Sequence, residues 1–183
     1  SATPGHALVL VDGVLVECAA AAATCVRLTP HPPDADVVTA VAMGPGGELW
    51  WGTESGAVRQ RAHLQGPVRE TSTRCPGVPA PRPLTSVAVA PDGTLWVADG
   101  RDVYARSLVT ADWQSGTVGA VPVAATALHV DAGGNLFAAG RKGIAVREAD
   151  FGLWKTFAVT LPDPPRAVAA SPDRRVFWTS PTA

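Results

Sequence analysis

The residues in this 183-residue chain that could do chemistry together are few. His129 and Asp131 form the one catalytic-looking pair, because an i, i+2 spacing on a strand sets both side chains on the same side. A histidine beside a carboxylate suits general-base chemistry, yet neither a nucleophile nor a metal cluster accompanies it, and a buried, satisfied histidine is the plainer reading. Cys18, Cys25 and Cys75 lack the short paired spacing of a thiolate zinc site, and His6, His31, His63 and His129 are scattered. No metal and no cofactor are expected from these spacings. Cys18 and Cys25 flank the alanine run 19–23 and can face one another across two neighbouring strands as a disulfide, leaving Cys75 over. The alternative is that all three are small buried hydrophobes.

What must position such residues is read from composition and repetition. Hydrophobic residues make up 46% of the chain, enough for a full core, while Lys and Glu are scarce and Gly (18) and Pro (17) are frequent. Many short strands separated by turns are therefore expected. The formal net charge of −1 provides no positive field for a phosphate backbone, so nucleic acid is not an expected partner. No stretch reaches eighteen consecutive apolar residues, so no membrane span is expected. The first residues lack the features of a signal peptide, as a mature secreted chain also would; a secreted or periplasmic setting is the compartment favoured.

Four segments repeat one another: 41–50 (VAMGPGGELW), 87–96 (VAVAPDGTLW), 128–137 (LHVDAGGNLF) and 168–177 (VAASPDRRVF). Their closing aromatics, Trp50, Trp96, Phe137 and Phe177, are 46, 41 and 40 residues apart. Each segment is an alternating apolar strand, a turn built on Pro or Ala with Asp or Gly, and a second strand. So short a connection forces an antiparallel hairpin. Third and fourth strands follow at 57–61 and 67–73, at 102–106 and 116–121, and at 143–147 and 155–160, with Trp113 and Trp154 preceding the fourth strands. Four antiparallel strands in about 40 to 45 residues is the arithmetic of a propeller blade.

The expected fold is thus all-β, a β-propeller or partial propeller of four-stranded antiparallel blades. About four to five blades fit one domain over 1–183, with units near 7–36, 37–79, 84–122, 126–162 and 165–180. The amino end supplies strands two, three and four of a unit, and the carboxyl end supplies strands one and two, at 166–171 and 175–179. A first strand borrowed from the carboxyl end would close the ring most economically, but the count leaves one strand too many for four blades and too few for five. An incomplete ring finished by another protein chain at a terminal blade edge is the competing expectation.

The units at 88–99 (AVAPDGTLWVAD) and 46–56 (GGELWWGTESG) resemble blades of the propeller group that includes NHL repeats, gluconolactonase and strictosidine synthase relatives, two-component regulator propellers and the virginiamycin B lyase type. That resemblance covers about residues 37–180 and implies blade packing. For lactonase relatives it would imply an axial metal, Mg²⁺ or Ca²⁺, held by acidic and Asn side chains, but the only Asn, Asn135, falls in a hairpin turn. For the lyase type it would imply an axial His with Mg²⁺, and His129 is the sole candidate. Trp113 and Trp154 give a partial resemblance to tachylectin and tectonin lectin blades.

The recurring aromatics are expected to be core. Trp51 and Trp178 differ, since the equivalent positions hold Val97 and Ala138, and they are candidates for partner contact, core thickening or sugar stacking. The turns between second and third strands carry Glu54, then Asp99, Arg101 and Asp102, then Arg141 and Lys142, gathered on one propeller face as a solvated rim or a polar docking face. The function expected is a noncatalytic protein-interaction or scaffold module presenting a rigid propeller surface to a larger assembly. The alternatives are a lyase or lactonase-like hydrolase with an axial site, and a carbohydrate-binding lectin.

Overall fold

The computed structural model describes residues 6–11, 14–19, 24–27, 36–62, 68–71, 82–107, 113–115, 123–149, 152–157, 159, 163–171 and 175–179. Every described element is a strand, and each sheet is a run of antiparallel neighbours in chain order. The first sheet holds β1 (His6–Val11), β2 (Val14–Ala19) and β3 (Thr24–Arg27). The second holds β4 (Val38–Met43), β5 (Leu49–Thr53), β6 (Val58–Arg61) and β7 (Val68–Thr71). The third holds β8 (Ser86–Val89), β9 (Leu95–Ala98), β10 (Val103–Arg106) and β11 (Trp113–Ser115). The fourth holds β12 (Ala125–Val130), β13 (Leu136–Gly140), β14 (Gly143–Arg147) and β15 (Trp154–Phe157). The last is the hairpin of β16 (Ala167–Ala170) and β17 (Val176–Thr179).

The repeated turn chemistry explains the repeated hairpins. Gly47, Gly93 and Gly134 hold φ of 82°, 86° and 80° at the same turn position, a conformation that costs glycine nothing sterically. Each donates its N–H to the carbonyl three residues back, that of Gly44, Ala90 and Asp131 respectively. Leaving the turn, the second strands β5, β9 and β13 are fully buried, so their side chains fill the space between sheets on both faces.

Sheets stack through their first strands, β4 against β8, β8 against β12 and β12 against β16, as inner strands do around a propeller axis. The stacking is reinforced by a bond from the Leu128 amide to Ser86 Oγ (2.9 Å) and by one from Thr126 Oγ1 to the Pro165 carbonyl (2.7 Å). Three apolar layers lie between successive sheets. Trp50 packs with Leu84, Val87 and Leu95; Trp96 packs with Leu128, Leu136 and Ala138; Phe137 packs with Val168, Ala170 and Val176. The register puts the aromatic of each second strand on the face turned to the following sheet.

Three expectations are corrected. The fourth strand of the third sheet is Trp113–Ser115, and residues 116–121, where it was expected, lie outside the described residues. The fourth strand of the fourth sheet likewise begins at Trp154. Both tryptophans belong to the strands because their rings pack inward, Trp113 on the layer around Trp50 and Trp154 on that around Trp96. Second, the borrowed-strand closure does not occur among the described residues: β16 pairs with β17 and lies against β12, in a sheet separate from β1–β3. Third, Phe177 occupies the register of Trp50, Trp96 and Phe137 but is 58% exposed, since among the described residues no sheet lies on its face.

Candidate functional site

The turn face between second and third strands is built by internal carboxylates. Asp99 Oδ1 accepts the amides of Arg101 (2.9 Å) and Asp102 (2.7 Å), Oδ2 accepts the Tyr104 hydroxyl (3.3 Å), and Arg82 Nη1 approaches to 3.7 Å. With its side chain 3% exposed, Asp99 is spent on the turn and is not part of a docking surface. In the preceding sheet an acid from outside the turn does the same work. Asp36 accepts the Ser55 amide (3.1 Å) and hydroxyl, and its Oδ2 lies 3.8 Å from Nη2 of the buried Arg59. Burial opposes its ionisation, but the bonds from Ser55 and Thr53 and the Arg59 charge together hold its carboxyl below the usual range. Sequence reasoning missed this pair, as Asp36 sits outside the repeated hairpin and the third-strand position of Arg59 is apolar or small elsewhere, Tyr104 excepted.

Glu54, Arg101, Arg141 and Lys142 remain exposed at the turn tips, with Asp102 half-buried. The mixed charge read from the sequence therefore resolves into three exposed cations and one exposed anion. Trp51 is corrected as a binding residue: it is 1% exposed, on the face of β5 opposite Trp50. Trp178 is 43% exposed.

On the axial side, the His129 ring lies 6.2 Å from that of Phe137. Burial lowers its basicity, partly offset by the Asp131 charge. Asp131 is committed to the hairpin turn, accepting the amides of Gly133 and Asn135 (both 2.9 Å) and Asn135 Nδ2 (2.8 Å). The two side chains thus have separate tasks. An axial Mg²⁺ or Ca²⁺ would need oxygen ligands converging from several inner strands. Among the described residues no three His, Cys, Asp or Glu side chains converge, so the residues present do not fit such an ion.

A second pattern follows the register. The last residue of the third strand faces its counterpart on the fourth: Arg106 opposite Trp113, Arg147 opposite Trp154, Arg61 opposite Val68. In the first sheet the pair next to the strand end is Cys18 opposite Cys25, joined as a disulfide with Cα atoms 4.0 Å apart. Cys75 lies outside the described residues. The Arg106 guanidinium lies 5.9 Å from the Trp113 ring centre, whereas that of Arg147 reaches across sheets to lie 5.1 Å from that of Trp96. Trp113 and Trp154 are half-buried and pack on the layers around Trp50 and Trp96.

The surface left uncovered is the terminal hairpin. Ala167, Ala169, Phe177 and Thr179, one face of β16–β17, are all exposed, and Leu153 (61%) and Phe157 (52%) add apolar surface nearby in sequence register on the fourth sheet. Of the described strands, only β16 pairs with β17.

No protein-family model matches the chain, and no curated protein sequence matches it. Solved structures do. The chain is similar to one from a nidogen/laminin complex (TM-score 0.75, 14% identity, 94% of this chain and 69% of that one). It is also similar to a putative gluconolactonase (0.71, 16%, 95% and 66%). A third similarity is to virginiamycin B lyase from Staphylococcus aureus (0.68, 14%, 92% and 56%). At these identities the likeness concerns the fold, and the chain spans about half to two thirds of each neighbour's length. Together with the five-sheet topology, it shows that the fold is that of a partial β-propeller.

Proposed function

We propose that this chain is a noncatalytic protein-interaction module that contributes a rigid propeller surface to a larger assembly. The observation that carries the reading is the uncovered face of β16–β17. Trp50, Trp96 and Phe137 are 1%, 6% and 3% exposed beneath the sheet that follows them, whereas Phe177 at the same register is 58% exposed. Exposed apolar side chains mark contact sites where they gather, and among the described residues no strand covers this face. The exposed cations Arg101, Arg141 and Lys142 supply a second, polar face suited to orienting an acidic partner. An axial lyase or lactonase-like site, or a lectin site, has less support, since Asp131 is held in its turn and Trp113 and Trp154 are packed.

The test places a photo-crosslinking phenylalanine analogue at position 177, with position 54 as control, in extracts of the source organism, and then measures binding of the captured protein in purified form. A partner whose affinity falls at least about tenfold with Phe177→Asp supports the proposal. Capture at 177 no greater than at 54, or stoichiometric Mg²⁺ or Ca²⁺ binding with lactone or lyase turnover, overturns it.

A further inference from the structure

The cleft between the third and fourth sheets has a volume of about 480 Å³, within the range of roughly 300–1,000 Å³ that holds small ligands. Both walls belong to complete four-stranded sheets, β8–β11 and β12–β15, so its shape is set inside the repeat. Thr94, Trp96 and Ala105 line it from the third sheet, and Arg147 and Ala149 from the fourth. Arg147 ends β14 opposite Leu136, and its half-buried guanidinium crosses to lie 5.1 Å from the Trp96 ring centre. Gly152 borders the same group, since a Cβ there would stand 3.2 Å from Nη2. Set between that ring and that turn, the guanidinium is ordered in advance, which lowers the cost of using its donors.

Register-equivalent positions show how this cleft differs from the one before it. The place of Thr94, two residues ahead of the second-strand tryptophan, holds Glu48 in the second sheet, and that of Ala105, opposite the tryptophan, holds Gln60. A carboxylate and a long amide thus give way to a short hydroxyl and a methyl group on the wall that Arg147 faces. Arg106, the counterpart of Arg147, lies instead beside Trp113 of its own sheet, at 5.9 Å. Among the described residues no carboxylate pairs with Arg147. The one acid lining the cleft, Asp92, is exposed, and its Oδ1 accepts the Thr94 amide (2.8 Å). Its charge disfavours a second negative group in any ligand.

We propose that this cleft binds a small monocarboxylic acid, with the carboxylate on the Arg147 guanidinium and the Thr94 hydroxyl and a short apolar body along Ala105 and Ala149. A planar guanidinium matches a carboxylate through two parallel hydrogen bonds. The site lies apart from the terminal hairpin and does not rest on the interaction-module reading.

The test titrates the isotope-labelled full chain with hexanoate, hexanamide and adipate, reading the Trp96 indole N–H and the Arg147 Nε–H by heteronuclear NMR. Hexanoate should shift both with a Kd below about 5 mM, hexanamide should bind at least about fivefold more weakly, and adipate should bind no tighter than hexanoate. Arg147→Gln should weaken hexanoate at least about fivefold. Because that change also removes a contact with Trp96, Ala105→Gln is the second variant: it copies Gln60 into the cleft, keeps Arg147, and should abolish the shifts while amide dispersion reports a folded chain. The hexanamide comparison needs no variant. The proposal is overturned by a smaller loss with hexanamide or Arg147→Gln, by shifts that spare both reporter groups, by tighter binding of adipate, by shifts that persist in Ala105→Gln, or by a Kd for hexanoate above about 5 mM. A blocked pentapeptide with a central glutamate that shifts both groups when hexanoate does not assigns the cleft to a protein segment and overturns the small-acid proposal.

Discussion

Trp96 and Phe177 hold the same place in the repeat, and the structure separates them sharply enough for a paired experiment. Trp96 is 6% exposed and lies among Ala88, Ala90, Ala98, Ala125, Ala138 and Ala145, with Leu128 and Leu136 beside them. An aromatic side chain buries about 150–250 Å², worth about 4–6 kcal/mol at 25 cal/mol/Å², an upper figure because the unfolded chain buries some of it. The Arg147 guanidinium over the ring adds about 0.5–1 kcal/mol. Alanine neighbours have no side-chain length with which to collapse into the space, so Trp96→Ala should fall within the range of about 3–5 kcal/mol known for such truncations. Melting should drop by about 2–4 °C for each kcal/mol. Phe177, 58% exposed, should lose less than about 1 kcal/mol on truncation to Ala. Urea unfolding followed by far-ultraviolet circular dichroism measures both without relying on the tryptophan removed. A Trp96→Ala loss under about 1 kcal/mol, or an equal loss in Phe177→Ala, would refute the assignment of covered and uncovered faces.

Reduction of the Cys18–Cys25 bond, or Cys18→Ser with Cys25→Ser, should cost about 2 kcal/mol from the entropy of a loop with a sequence separation of 7, read by denaturation with and without reductant; an unchanged midpoint would count against the bond. Asp36→Ala should cost about 3 kcal/mol by leaving the Arg59 cation buried beside an opened turn, whereas Glu54→Ala at the exposed tip should change stability by under about 0.5 kcal/mol in the same assay. His129 is less basic in the fold than its ordinary value of 6.5, so the unfolded chain binds more protons just below that pH. Its contribution to stability should therefore fall as pH drops from about 6.5, and His129→Gln should flatten that part of the wild-type profile, a difference absent if the ring is solvated.

Much of the architecture was legible because it rests on local rules applied several times. The turns at 44–47, 90–93 and 131–134 combine a residue that ends a strand with a glycine at positive φ, and a two-strand connection that short can only be antiparallel. The ends of fourth strands were less legible, since Trp113 and Trp154 enter their strands through packing on a neighbouring sheet, a long-range cause that alternation within the segment does not carry. The arginines at 61, 106 and 147 recur visibly at the ends of third strands, and that signal could have pointed to the cleft that Arg147 lines. The carboxylate of Asp99 looked like surface charge until its bonds to the Arg101 and Asp102 amides were seen.

Taken alone, the sequence determined the strand grammar, the repeated hairpin and the side of each strand on which the aromatics fall, because period-two alternation and turn residues act over a few neighbouring positions. Whether a given face is covered depends on which sheet lies next to it, and only the tertiary structure decided that. Trp51, for which both core packing and partner contact were open, is enclosed, while Phe177, read as core, is open. The same local pattern thus yields a buried layer between two sheets and an exposed surface at the last one, the difference being whether another sheet stands there to exclude water.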